Sequence, residues 1–492
     1  MKVLYLPLDE RPCNYIYPQM IALSNKEIQL NIPNLDILPK KKTPAIFENI
    51  EQFLLENVLD QDALVISLDM LLYGGLIPSR LHQLDVDHLK TRLEILKKLK
   101  QLKPDLKIYA FECIMRCPQY NSSEEEPDYY EEYGYALFKK KYLQNKQERM
   151  SLDGKEEQEF NTLEIPQDIL DDYELRRQTN CQMNQLTLEY LKDGILDFLV
   201  IPQDDSSPFG YTAIDQKKIL EKIKEDHLEF KTMVYPGADE VGLSLMTRAY
   251  NEYCQRTPKI YPFYASVLGP SIVPLYEDRP MLESLKSHIL VTGARLTHDA
   301  NQADMILAVN CPGKVMQESF DKNKDVSYSS YRNLMNFVLQ IQSFIQEDKD
   351  VALVDSAYAN GGDLELIHYL DELDLLDSLK GYAGWNTNCN STGTVLAQGQ
   401  LGHDATANTI YHLIEDVFYQ AKVRLQVIEN DLVELGLSYY DFKDQQDEVE
   451  KRIGEALLKE YCKLNVSHKY PIKHIEVSMP WKRMFEIGVK FK

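Results

Sequence analysis

Residues 197–210 read DFLVIPQDDSSPFG, and the two halves of that stretch suit different environments. The apolar run at 198–202 has the composition of a strand buried on both faces, as in parallel sheets covered by helices. Gln203, Asp204 and Asp205 follow at once, then two serines, a proline and a glycine, which is turn chemistry. A buried strand that leads into two adjacent carboxylates marks either a solvated turn or a working site. Phe209 and Tyr211 make a poor exposed turn, which favours the site.

The same pattern recurs outward in both directions. Apolar runs that pass into Gly, Asp, Asn or Pro occur at KVLYLPLDERP (2–12), DALVISLDMLLYGG (62–75), KIYAFECIMR (107–116) and KTMVYPGADE (231–240). Others are ADMILAVNCPG (303–313), VALVDSAYANGG (351–362) and GYAGWN (381–386), with weaker candidates at 35–38 and 261–266. Between them lie segments with leucines at helical spacing, such as HLKTRLEILKKLKQLK (88–103). Strands alternating with helices imply βαβ units and a parallel sheet. Eight clear strands fit a closed (β/α)8-like barrel, the reading preferred from sequence; ten would fit an open doubly wound sheet.

Residues 1–400 are thus expected to form one α/β barrel-like catalytic domain. A helical excursion at about 119–190 opens with the tyrosine-rich tract SSEEEPDYYEEYGYALFKKK. Residues 401–492 read as a mainly helical C-terminal region.

Composition bounds the function. With 54 basic against 77 acidic residues the net charge is −23, which repels nucleic acid and anionic membrane. Eight cysteines without a C-x-x-C pair suggest neither a zinc ribbon nor a disulfide framework. No run approaches the roughly 18 apolar residues of a membrane span, and the start has no secretory pattern. A cytoplasmic protein with a small carbohydrate partner is expected; oligomeric state is not legible.

In parallel α/β folds, sites form at the carboxyl ends of strands. Those ends deliver Asp9, Glu10 and Arg11, then Arg80, Arg116, Asp204, Asp205, Asp239 and Glu240. Further on come Asp355, Asn360, Asp363, Trp385 and Asn386. Acids, amides, arginines and an aromatic suit a sugar or small polar substrate, with hydrogen bonds for hydroxyls and a wall for apolar ring faces. Taken singly, each motif has a plainer reading: LDERP as a loop ion pair, YPGADE as helix-start chemistry, the amides of GWNTNCNSTG as loop stitching. No histidine lies in these motifs, and there is no G-x-S-x-G, Walker A loop or G-x-G-x-x-G. Carboxylate acid/base chemistry remains, with no resident cofactor. A hard divalent cation such as Mg²⁺ or Mn²⁺ on Asp9, Asp204, Asp205 and Asp239 is the alternative.

Together LPLDERPCN, YGGLIPSR, QDDSSPFG, YPGADE, ANGGD and GWNTNCNSTG resemble the bacterial DUF4127 family, a domain of unknown function, over residues 1 to about 400. The order strand–Asp–Asp, then a strand with Asp and AN-x-x-D, also resembles the barrel of O-GlcNAc-type β-N-acetylhexosaminidases. That likeness implies that Asp204 polarises a substrate acetamido group and Asp205 is the general acid/base. Asp355, Asn360, Asp363 and Asn386 would then hold the sugar. The expected activity is a glycoside hydrolase for an amino-sugar glycan or glycoside. Its rivals are a metal-assisted hydrolase or lyase and a non-catalytic carbohydrate-binding protein.

Overall fold

In the computed structural model, which describes residues 1–492, the apolar runs form parallel strands in two separate sheets. The first contains β1 (Lys2–Leu6), β2 (Gln29–Asn31), β3 (Ala63–Ser67), β4 (Lys107–Phe111), β5 (Phe198–Val200) and β6 (Thr232–Met233). Its order is β2-β1-β3-β4-β5-β6, every neighbouring pair parallel. Then come β7 (Lys259–Tyr264), β8 (Arg295–Leu296), β9 (Met305–Asn310), β10 (Gln317–Glu318), β11 (Val351–Asp355), β12 (Tyr358–Ala359) and β13 (Gly381–Ala383). Five of these build the second sheet in the order β13-β11-β9-β7-β8, while β10 and β12 pair with each other. A terminal antiparallel hairpin joins β14 (Ile475–Ser478) to β15 (Gly488–Phe491).

The α/β class with parallel strands stands, but the sheets are open and no closed barrel forms. In each sheet the second strand lies on one side of the first and the third on the other, so the winding reverses. A barrel needs steady progression in one direction. Both sheets share this doubly wound order, and in such folds the reversal lies between the carboxyl ends of the first and third strands. The candidate strand at 35–38 is not a strand. Pro33 and Pro39 bracket it, and Ile37 N–H donates to the Asn34 carbonyl in a turn. The weak candidate at 261–266 is β7, an interior strand between β9 and β8.

The chain divides into two compact units. One is Met1–Glu10, Gln29–Gly242 and Tyr276–Asp278; the other is Arg11–Ile28, Leu243–Leu275 and Arg279–Lys492. The helix Pro12–Leu23, which connects β1 to β2, is part of the second unit.

Continuous apolar strands follow from two-sided burial. All of β3 and all of β1 after Lys2 are buried, as the doubly wound arrangement requires. Between β4 and β5 run the helices Tyr130–Arg149, Gly154–Thr162 and Gln167–Lys192. The tyrosine-rich tract builds its own core there, with Tyr130, Leu137 and Tyr173 packed beside Met115, Cys117 and Tyr211. In the second unit a wide, π-helical stretch, Leu413–Val423, is mostly buried. No helix is long and apolar enough to cross a membrane.

Candidate active site at the carboxyl ends of the first sheet

Past β5 the chain stays extended. Gln203 bridges in parallel to Ile114 on one side and Pro236 on the other. Alternation then lapses, because Asp205 adopts a left-handed conformation at φ +48°. The turn directs both carboxylates to arginines of one cluster. Asp204 accepts from Arg80 Nη2 at 2.7 Å and Asp205 from Arg116 Nη1 at 3.3 Å.

The two arginines arrive by different routes. After β3 the helix Leu68–Tyr73 is capped by the Ser67 hydroxyl and stopped by Gly74 at φ +83°. A side chain at Gly74 would meet the Ala45 backbone at 2.8 Å, so the glycine permits a close approach as well as the turn. The short helix Leu76–Ser79 then delivers Arg80, 1% exposed. Arg116 follows β4 directly.

Two acids that open the excursion tie these arginines together. Glu125 Oε2 accepts from Arg80 Nη1 at 3.0 Å and from Arg116 Nη2 at 2.9 Å. Glu126 Oε1 accepts from Arg116 Nε at 2.7 Å and Arg80 Nη1 at 3.3 Å. The result is a lattice of two guanidiniums and four carboxylates, with Glu126 fully buried. Side-chain exposures of 17% for Asp204 and 25% for Asp205 put the aspartates at its accessible edge.

Burial pushes Asp205 up to about 6, with the Arg116 guanidinium opposing and the Asp204 charge reinforcing the rise. Neighbouring acids are also held high. Asp69, which accepts the Cys113 N–H at 2.9 Å, is raised by burial to about 7. Glu112 reaches about 8 through burial, although the Thr187 hydroxyl donates to it at 2.7 Å. Glu240 is likewise raised by burial to about 8. The Cys113 thiol is pushed well up, first by burial and then by Asp69, Asp204 and Asp239.

Asp9 is buried at the end of β1, and Glu10 accepts the Lys41 N–H at 2.7 Å. Arg11 belongs to the second unit, where its guanidinium lies 4.7 Å from the centre of the Trp481 ring. Asp355, Asn360, Asp363, Trp385 and Asn386 also lie in that unit and form a second group. Asp355 accepts from Asn310 Nδ2 and the Tyr382 hydroxyl, both at 2.8 Å, and from Asp363 N–H at 2.7 Å. Asp363 accepts from Arg332 Nη1 at 2.6 Å and caps the helix Leu364–Glu372. Asn360 takes φ +55°, donates its N–H to the Asn386 carbonyl at 3.1 Å and its amide to Glu318 at 2.9 Å. The Trp385 ring stands edge-on to Tyr17. These groups largely satisfy one another, and the Ser266 hydroxyl, donating to the Gly313 carbonyl at 3.2 Å, links the loops after β7 and β9.

Beneath the second group lies a buried cluster that the sequence motifs do not reveal. Asp416 accepts the Gly384 N–H at 2.7 Å and stands 2.9 Å from His412 Nδ1. Burial drives Asp416 up to about 8 and His412 down to about 4, so the pair is neutral at neutral pH. Glu125 and Glu126 are equally hidden in the sequence, because a charged tract reads as a solvated face. The available signal was Pro127 and the run of tyrosines beside them.

A cleft of about 500 Å³ in the first unit is lined by Leu81, Gln83, Asp128, Tyr129 and Arg176, among others, but by no member of the lattice. Its size alone does not make it the chemical site: Arg176 is already paired with Asp172 at 2.9 and 3.0 Å. As for the divalent-cation alternative, no three His, Cys, Asp or Glu side chains group closely enough to hold a metal ion.

Fold and site together define a two-unit, doubly wound α/β protein with a buried arginine–carboxylate lattice at the strand ends of its first unit. The chain belongs to the family described as "Protein of unknown function (DUF4127)", whose sequence profile matches residues 3–490. No curated protein and no solved structure matches it.

Proposed function

We propose that this protein is a glycoside hydrolase that acts on an amino-sugar glycan or glycoside through Asp204 and Asp205. One observation carries the reading: two adjacent acids, turned into one cluster by a left-handed residue, have different environments. Asp204 is held against Arg80 at 2.7 Å, whereas Asp205 has only the longer contact to Arg116 and sits near 6. Two acids placed in such different surroundings can divide acid and base roles.

In this scheme Asp205 donates its proton to the leaving glycosidic oxygen as the C–O bond breaks. Asp204 faces the positive charge that develops at the anomeric carbon. Water then adds to that carbon and returns a proton to Asp205.

The expected pH dependence follows from the donor role: turnover falls as pH rises past about 6, because Asp205 loses the proton it must give. Replacing Asp205 by Asn is expected to slow an alkyl glycoside by about 10²–10⁴-fold, and an aryl glycoside with an activated leaving group much less. The check is steady-state kinetics on both substrate types. A panel of glycosides that shows no turnover, with or without divalent metal, ends the hydrolase reading.

A further inference from the structure

We propose that the ligand of this site is cationic: an amino-sugar glycoside whose amine is free and protonated, not acetylated. The sugar rests on the glycosidase reading; the charge rests on the site itself.

The lattice sets two guanidiniums against four carboxylates. Each arginine is already engaged by three of those acids, so neither has charge left over for an anionic ligand. An excess of one sign concentrates ligands of the other sign.

A second observation points the same way. Glu126 Oε2 is buried and has no hydrogen-bond partner, although Oε1 of the same carboxylate holds both arginines. Unsatisfied buried acceptors are costly, and a ligand that brings donors removes the cost. An ammonium brings three donors and a positive charge, whereas an acetamide brings one N–H, one acceptor and no charge. A metal ion held by three or more His, Cys, Asp or Glu side chains finds no such group here. An ammonium needs only one or two.

The test uses the full chain and three sets of 4-nitrophenyl glycosides, both anomers of each, that differ only at C2: amine, acetamide or hydroxyl. The amine is expected to exceed both others in kcat/KM by on the order of 10- to 100-fold, the worth of a hydrogen-bonded charge. That preference is expected to shrink in Glu125→Gln. If the acetamide or the hydroxyl compound is turned over as well or better, the cationic inference is overturned while the hydrolase reading stands. If none is turned over, the hydrolase reading fails, and calorimetry with the three methyl glycosides decides the charge. Tighter binding of the amine supports the inference; equal binding, or none, overturns it.

Discussion

Asp205 holds a backbone conformation that costs a non-glycine residue on the order of 1–3 kcal/mol, and it persists because the surroundings over-determine it. Its anchor, Arg116, is held in turn by Glu125 and Glu126. Glu126→Ala would leave two buried guanidiniums each short of a carboxylate. The expected loss is about 3 kcal/mol, read as a lower urea midpoint at unchanged slope. The exposed pair Lys42 and Asp128, 3.6 Å apart, provides the contrast: Lys42→Ala should cost less than about 1 kcal/mol. At this scale the sequence is informative about position and silent about partners. Asp204 and Asp205 announce themselves by following an apolar run. Nothing local tells that Arg80 reaches Asp204 across 124 positions, or that two acids in a charged tract are buried.

The loop from β11 to the helix Leu364–Glu372 shows what an element demands of its residues. A side chain at Gly362 would come within 2.4 Å of the Tyr382 hydroxyl, so the chain can fold tightly over Asp355 only with glycine there. Asp363 closes the loop by capping the helix through Glu365 N–H at 3.1 Å while pairing with Arg332, whose side chain is 2% exposed. Asp363→Ala removes the cap and leaves Arg332 with only neutral partners, Asn310 and the Tyr328 carbonyl. Chemical denaturation should show a loss of about 3–5 kcal/mol. The sequence reveals the long, buried strands because their apolar runs are continuous. It hides β2 and β8, of three and two residues, because QLN and RL lie in no continuous apolar run. β7 is faint because three half-buried positions, Tyr261, Pro262 and Tyr264, interrupt its pattern.

Across the whole molecule, strand order is the quantity least visible in the sequence. A barrel and a pair of open sheets present the same alternation of strand and helix; they differ only in which strand lies beside which. Buried acids set a further global property. Asp69, Glu112, Glu240 and Asp416 are held by burial near 7 to 8, against about 4 when unfolded. They stay protonated in the folded state and release protons on unfolding. Their contribution is therefore fully present below about pH 4 and is lost as pH rises through 7 to 8. Thermal melts should give a Tm that falls between pH 6 and 8.5, with a shallower fall in Glu112→Gln; a flat or rising Tm would contradict the assignment.

The helix Pro12–Leu23 gives the chain an unusual timetable. It leaves the ribosome directly behind β1, yet its companions Trp385, Tyr411 and His412 around Tyr17 are translated nearly four hundred codons later. Until then an apolar segment that includes Tyr17, Ile21 and Ala22 lacks those packing partners, while the strands on either side of it can already pair. Those contacts cannot form until the codons for the three partners have been read. A polypeptide released at the end of the first unit would lack those three partners altogether.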